Sequence, residues 1–180
     1  MLISLGLIWQ LAAWHYNSML LLPGPLETIK ALGKTVAEPD VWVNLVITMK
    51  RVLSGFAIAV AIGVPLGLMM GFSRTVMQIL EPFINSIRQI PVMAWVPLTI
   101  VWFGLGDGPT VFLIAFTGIF PVLLNTIAGV QGISKDYFNA ARSMGATTTS
   151  IIAQIIIPGS LPDVLTGMRL SLSAGWMSVI

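Results

Sequence analysis

Long runs without charged residues alternate along this chain with short segments that carry nearly all of its charges. A helix needs about 20 apolar residues to cross roughly 30 Å of hydrocarbon at 1.5 Å rise per residue. The long charge-free runs are residues 1–26, 52–73, 89–106 and 108–134. They predict four membrane-spanning helices, over residues 3–21, 47–72, 88–106 and 109–130.

Two further apolar stretches follow near the C-terminus. Residues 143–162 lack charge, but four hydroxyl residues at 147–150 and Pro158-Gly159 leave a hydrophobic run of only about seven residues, which suits a short helix on protein or at the interface. Residues 170–180 would extend about 16 Å as a helix, roughly half a bilayer. We expect a fifth span over 162–180 that is cut short by the end of the chain.

The composition agrees with a membrane location. Only 9% of the 180 residues are charged, whereas soluble domains carry about 25%, and 56% are hydrophobic. The absence of cysteine excludes a disulfide framework, a thiol nucleophile and a zinc–thiolate site. The net charge of +2 comes from scattered residues, so it gives no support to nucleic-acid binding. The predicted fold class is an all-α polytopic transmembrane bundle, with residues 1–180 as one domain and a connection over 131–160.

The positive charges favour an N-terminus on the cytoplasmic side by a small margin. With that orientation, five cations lie in cytoplasmic connections: Arg74, Arg88, Lys135, Arg142 and Arg169. Four lie outside: Lys30, Lys34, Lys50 and Arg51. Four acids neutralise that outer face: Glu27, Glu38, Asp40 and Asp107.

Small residues and prolines recur inside the predicted spans. Gly63, Gly67 and Gly71 repeat at every fourth position, which places them on one helix face where another backbone can approach closely. Pro65 is expected to bend the same helix. Three further prolines are predicted to interrupt the third and fourth helices: Pro91, Pro97 and Pro121.

Candidate catalytic groups are scarce in this sequence. The middles of the four clear spans contain no Asp, Glu, Lys or Arg, although ion-coupled transporters usually place such groups there. His15 is the only histidine, and neither a nucleophile elbow nor a phosphate-binding loop occurs. We therefore predict no catalytic residue, no metal site and no cofactor bound by this chain, and any ATP must bind to another chain.

The segment 135–158 predicts two short helices joined by a turn. Asp136 or Ser134 would cap the first helix, Gly145 would end it, and Pro158 would terminate a second helix that begins near Thr147. Such a helix-turn-helix on the cytoplasmic face suits docking of a partner protein, although a plain connector is the alternative.

The spacing in this segment resembles a known signature. Binding-protein-dependent permeases of ABC importers carry Glu-Ala-Ala, three residues, Gly, nine residues and Ile-x-Leu-Pro. Six residues here occupy that spacing: Asn139, Ala140, Ala141, Gly145, Ile155 and Pro158. Asn139 replaces the usual glutamate and Ile157 the leucine, so one charge is missing at a position that the family uses at the ATPase contact. Residues 22–25, 51–56, 63–67, 82–104, 120–126 and 165–170 extend the likeness to the nitrate, sulfonate and taurine branch.

The resemblance implies the MetI-like permease fold in a bacterial or archaeal plasma (inner) membrane. It also implies three partners: a second permease copy in a homodimer, a cytoplasmic ABC ATPase dimer that carries ATP and Mg, and an extracytoplasmic substrate-binding protein. The expected ATPase-coupling residues are Tyr137, Asn139, Ala140, Ala141, Arg142, Met144, Gly145, Ala146, Ile155 and Pro158.

The function implied by the resemblance is transport of a small solute, most simply an anion such as sulfonate, taurine or nitrate. Permeases for riboflavin, a thiamine precursor or another small organic molecule share the same loop, and an ion-coupled secondary transporter is a further alternative. Three amide residues are candidates for the pathway: Asn85, Gln89 and Asn125. Each of them could instead hydrogen-bond a neighbouring backbone group.

Overall fold

The computed structural model describes residues 2–16 and 21–177, and within those ranges every regular element is helical, which confirms the all-α prediction. The α-helices are α1 (Leu2–Tyr16), α2 (Pro25–Ala37), α3 (Pro39–Phe72), α4 (Arg74–Arg88), α5 (Val96–Phe103), α6 (Asp107–Gly132), α7 (Lys135–Ser143), α8 (Thr148–Ile151) and α9 (Ile157–Met177). A 3-10 turn (Val92–Trp95) precedes α5, and a π-helical turn (Ile152–Ile156) joins α8 to α9. The chain divides into two compact units, Met1–Ile47 and Thr48–Ile180.

The first unit contains α1, α2 and the beginning of α3. Trp9 Nε1 donates a hydrogen bond to the Pro23 carbonyl at 3.1 Å. α2 begins at Pro25, and the Glu27 carboxylate accepts from the Gly24 backbone N–H at 3.3 Å, which satisfies one amide at the start of the helix. The predicted span 3–21 includes residues 17–20, which lie outside the described residues, and α1 as described has 15 residues.

Three helical stretches in the described residues are long and apolar enough to cross a membrane: α3, α6, and the continuous run Thr148–Met177 formed by α8, the π turn and α9. α4 and the Val92–Phe103 segment, bent by 87° between them, add a fourth if the pair crosses as one broken span. The predicted spans 47–72 and 109–130 fall within α3 and α6. The expected total of five spans is therefore confirmed only in part.

The predicted span 88–106 is wrong as a single helix. α4 ends at Arg88, Pro91 precedes the 3-10 turn, and Pro97 lies in the first turn of the eight-residue α5. Proline lacks a backbone N–H and restricts the residue before it, so a helix usually ends before it. The segment 74–88, which was expected to be a connection, is instead a helix of 15 residues.

α3 packs against α6 through glycine. A Cβ on Gly63 would lie 2.9 Å from Val122 Cγ1, and a Cβ on Gly71 would lie 2.7 Å from Val130 Cβ. The residue numbers of the contacting pairs increase together along α3 and α6, so the two helices run in the same direction. The spacing of the glycines allows the two backbones to approach closely.

α9 packs against α6 in the opposite direction. A Cβ on Gly175 would lie 3.0 Å from Ile114 Cγ2, and a Cβ on Gly159 would lie 2.9 Å from Ile133 Cδ1. α4 covers a further part of the core, since Met77 and Leu80 pack against the buried cluster that contains Leu123. α6 therefore contacts α3 and α9, and α5 also packs against it.

Pro121 does not interrupt α6, contrary to the prediction. It lies inside a helix that runs without a break from Asp107 to Gly132, and Pro65 likewise lies inside α3. A proline removes one backbone hydrogen bond, and packing against neighbouring helices holds such a helix together within a membrane bundle.

Candidate coupling surface

α7 begins directly after α6, at a serine cap. Ser134 Oγ accepts a hydrogen bond from the Asp136 backbone N–H at 3.3 Å, so Ser134 is the N-cap and Asp136 lies in the first turn. An acidic residue in the first turn also interacts favourably with the positive end of the helix dipole.

α7 ends in a turn that requires Gly145. The Gly145 N–H donates to the Arg142 carbonyl at 3.0 Å, and the Ala146 N–H donates to the Ala141 carbonyl at 3.0 Å. This pair of hydrogen bonds defines the Schellman motif, in which the residue after the cap adopts a left-handed conformation. Gly145 has φ +79°, which glycine adopts without steric cost.

The spacing of the signature follows from this turn. In a Schellman motif, the hydrogen bond that spans five residues of sequence often joins residues that also make a hydrophobic contact. Here these residues are Ala141 and Ala146. Both pack against the buried cluster of Val130, Ile151 and Ile156. Ala141 and Ala146 thus anchor the turn to the bundle.

α8 begins at Thr148, where Thr147 Oγ1 accepts from the Ser150 N–H at 3.3 Å. The helix does not terminate at Pro158, so that prediction is wrong. Residues 152–156 form a π turn, and the Ile157 N–H donates to the Ile152 carbonyl. A widened turn before the proline accommodates its ring and its missing donor, so the helix continues to Met177.

The predicted coupling residues divide into two sets. Ala141, Ala146 and Ile155 are half-buried against the bundle. The remaining seven are exposed: Tyr137, Asn139, Ala140, Arg142, Met144, Gly145 and Pro158. The side chains of Tyr137 and Met144 are 65% and 82% exposed. We call the seven exposed residues the coupling surface.

A cavity of about 690 Å³ adjoins the coupling surface between the end of α6, α7 and the start of α9. Tyr137, Ile155 and Pro158 line it together with Asp163. The sequence prediction missed this carboxylate, because Asp163 was placed at the edge of a span rather than beside the loop. The lining of this open cleft is mixed, with Ser134 and Gln154 as further polar residues beside the carboxylate.

The three candidate pathway residues do not form one polar group. Gln89 Nε2 donates to the Asn85 carbonyl at 3.0 Å, and Asn125 Nδ2 donates to the Pro121 carbonyl at 2.8 Å. Among the described residues, no hydrogen bond joins Asn125 to either of the other two. Two of the three amides therefore bond to the backbone of their own helix or helix end, and their place in a pathway stays a prediction.

Arg169 lies inside α9 and not in the cytoplasmic connection to which the charge count assigned it. The sequence prediction also missed an ion pair, in which Arg51 Nε donates to Asp107 Oδ1 at 2.7 Å. This pair joins α3 to the first residue of the parallel helix α6. In the described ranges, no group of three or more His, Cys, Asp or Glu residues could hold a metal ion.

The described residues thus form a helical membrane bundle with a helix-turn-helix that packs against its core. The family described as binding-protein-dependent transport system inner membrane component matches residues 63–180. The chain belongs to that family, and it is accordingly an inner-membrane protein.

Several relatives support the assignment. The chain is 38% identical to a putative ABC transporter permease protein of Methanocaldococcus jannaschii, over 96% of this chain and 66% of the relative. It is 34% identical to the taurine transport system permease protein of Escherichia coli strain K12, over 96% and 64%. It is 29% identical to the bicarbonate transport system permease protein of Synechococcus elongatus, over 97% and 66%. The chain thus spans just under two thirds of the length of these relatives.

Proposed function

We propose that this chain forms the membrane core of the permease subunit of an ABC importer and that α7 and α8 dock a separate ATPase. The observation that carries the proposal is the coupling surface itself. Tyr137 is an exposed aromatic side chain on α7, and Met144 is an exposed apolar side chain in the turn that ends α7 and that two backbone hydrogen bonds hold in place. Large exposed apolar residues on a rigid element are typical of a protein contact.

The path from the docked ATPase into the bundle follows one helix. α8, the π turn and α9 form a continuous run from Thr148 to Met177. Gly167 packs α9 closely against α6, since a Cβ there would lie 2.8 Å from the Pro121 carbonyl oxygen. A displacement of α8 therefore moves α9 against α6, which is the kind of helix shift that switches a pathway between two open states.

The proposed cargo is a small anion such as sulfonate, taurine or nitrate. The support is the similarity to two relatives, one a permease of a taurine transport system and the other of a bicarbonate transport system. A second permease copy completes the pathway, a substrate-binding protein delivers the solute from outside, and ATP and Mg bind to the ATPase. On this proposal the chain is not itself an enzyme.

Co-purification of the ATPase with a Gly145→Asp variant tests the coupling proposal. Aspartate at φ +79° strains the turn by roughly 1 kcal/mol and adds a charge to the coupling surface, so the yield of bound ATPase should fall at least about tenfold. Gly104→Asp is the control away from the coupling surface: Gly104 also has a positive φ (+74°) and open space around it, and its ψ of −170° makes aspartate there at least as strained. Wild-type co-purification of Gly145→Asp would contradict the proposal.

The cargo is tested by measuring which solute, delivered by the binding protein, stimulates ATP hydrolysis in proteoliposomes. Taurine, nitrate, bicarbonate and riboflavin form the panel, and we expect stimulation by an anion. Stimulation by riboflavin alone would assign the alternative cargo class. Uptake without ATP would instead indicate an ion-coupled transporter.

A further inference from the structure

A second cavity, of about 560 Å³, lies where α3 and α6 end and α4 and α7 begin. Three of the nine Lys and Arg residues of the chain line it: Arg74, Lys135 and Arg142. The lining contains no Asp or Glu. The amides Gln131 and Asn139 add hydrogen-bond donors to the same wall.

Among the described residues, none of these three cations forms an ion pair with a carboxylate. In the part of the chain that the structure describes, the ion pair joins Arg51 to Asp107, far along the sequence from all three. Like charges around one cavity repel each other, and an anion between them removes that repulsion. Arg74 and Lys135 are also the first residues of α4 and α7, where the helix dipoles add positive potential.

The position of the cavity relative to the membrane spans indicates which class of anion it binds. α3 and α6 run in the same direction and end at Phe72 and Gly132, so Arg74 and Lys135 follow the two spans within three residues. Lys and Arg residues that directly follow the end of a membrane span lie at the depth of the lipid phosphates. Met70, Met77 and Phe138 give the cavity an apolar wall, which a soluble anion does not need.

We propose that this cavity binds the headgroup of an anionic phospholipid from the leaflet on the side of α7. Arg74, Lys135 and Arg142 would contact the phosphate oxygens, and the glycerol and first acyl carbons would lie against Met70, Met77 and Phe138. Because no carboxylate lines the cavity, a zwitterionic headgroup would leave its own cation without a partner. Asn139 and Arg142 also belong to the coupling surface, so this site lies directly beside the proposed ATPase contact. Lipid binding there goes beyond the proposed transport function.

The test measures lipid binding to the full-length permease, purified in detergent without the ATPase. The thermal unfolding midpoint is followed during titration with phosphatidylglycerol, with phosphatidylcholine and with inorganic phosphate. We expect phosphatidylglycerol to raise the midpoint at lower concentration than the other two. In Arg74→Gln/Lys135→Gln the apparent affinity should fall about thirtyfold, about fivefold for each cation removed.

Two controls accompany the double variant. Arg88→Gln removes the same charge from the other end of α4 and should bind phosphatidylglycerol as the wild type does. Arg74→Lys/Lys135→Arg retains both charges and should also bind normally. If the double glutamine variant does not fold, the single variants Arg74→Gln and Lys135→Gln answer the question, since each should lose about fivefold in apparent affinity. Arg142 stays unchanged because it belongs to the coupling surface.

Three outcomes would overturn the proposal. Equal affinity of wild type and double variant for phosphatidylglycerol would show that the cations do not bind the headgroup. Equal protection by inorganic phosphate would assign the cavity to a soluble anion. Loss of ATPase co-purification in the double variant, with lipid binding unchanged, would make the cavity part of the ATPase contact. Failure of the transport proposal would leave the lipid measurement valid, since the ATPase is absent from it.

Discussion

Gly67 in the bundle core is tightly surrounded by neighbouring atoms, whereas Gly145 in the coupling surface has open space around it. A Cβ on Gly67 would lie 2.6 Å from Thr126 Cβ and 2.9 Å from the Leu123 carbonyl oxygen. A Cβ on Gly145 would have nothing within 4 Å, but its backbone has φ +79°. The core glycine is needed because a neighbouring helix occupies the space, and the loop glycine is needed because the chain reverses there.

This difference separates stability from partner binding. Contacts at Gly67 hold α3 against α6, so a change there acts on the folded bundle. The seven residues of the coupling surface are exposed, so a change there is expected to act on the proposed ATPase contact. The following substitutions are chosen to break one region and leave the other intact.

The largest effect is expected from Gly67→Ala. The added methyl group must push α6 away from α3 at a backbone oxygen that cannot rotate aside, at a cost of about 1–3 kcal/mol in the free energy of unfolding. Unfolding in mixed detergent micelles measures it. Gly33→Ala is the control, because nothing lies within 4 Å of a Cβ at that helical position. Equal stability of the two variants would refute the steric role of Gly67.

A slightly smaller effect is expected from Met144→Ala, and on binding only. Loss of an exposed apolar anchor should weaken ATPase association by about 1–2 kcal/mol, roughly tenfold. The free energy of unfolding should change by less than about 0.5 kcal/mol, since the side chain is 82% exposed. Leu105→Ala, at a residue 91% exposed before α6, is the matched control. A comparable loss of ATPase binding in both variants would argue against a specific anchor at Met144.

Ser134→Ala should loosen α7 by about 1 kcal/mol, because the Asp136 N–H loses its side-chain acceptor. Hydrogen exchange of the α7 amides measures this local change. Ser134→Asp supplies another acceptor at the cap and should restore slow exchange. Fast exchange in Ser134→Asp as well would mean that the cap does not control the helix.

The smallest effect is expected at the ion pair of Arg51 and Asp107. Their side chains are 32% and 64% exposed, so a double-mutant cycle with Arg51→Gln and Asp107→Asn should give a coupling energy of only about 0.2–1 kcal/mol. The coupling should shrink at high salt because water and ions screen exposed charges. A coupling unaffected by salt would show that the pair is more shielded than its exposure indicates.

The sequence predicted the structure well where a residue type has one dominant structural role, as glycine has in a close contact between membrane helices. Three glycines at a four-residue spacing predicted a close helix contact, and the structure places them against α6. The partner face on α6 was out of reach, because Val122 and Val130 have no feature that distinguishes them from other apolar residues. Pairing of helices depends on the whole bundle, while spacing within a helix is local.

The errors have equally local causes. Pro158 was read as a helix end because proline lacks a donor, but the π turn before it accommodates that defect. α4 was read as a connection because Arg74, Glu81 and Arg88 interrupt the hydrophobic run. Val76, Met77, Leu80 and Ile84 follow the helical spacing of a buried face, and that pattern was the signal that hydropathy alone concealed.

The helix boundaries around the coupling surface were the most predictable part of the molecule. Ser134, Thr147 and Gly145 each have a strong local preference for a cap or a turn, so the boundaries of α7 and the start of α8 agree with the sequence. Which residues face outwards was less accessible, because Ala140 and Ala141 are chemically identical and only the second contacts the buried cluster.

The open space around Gly145 has a consequence in terms of handedness. Since no atom lies within 4 Å of a Cβ there, the turn disfavours an L-residue through its backbone angle and not through its size. A residue of mirror-image configuration prefers positive φ, so D-alanine introduced by semisynthesis would keep the turn that L-alanine strains. At Gly67 both enantiomers add a carbon to a crowded helix contact. The coupling surface therefore depends on chirality, whereas the core depends on volume.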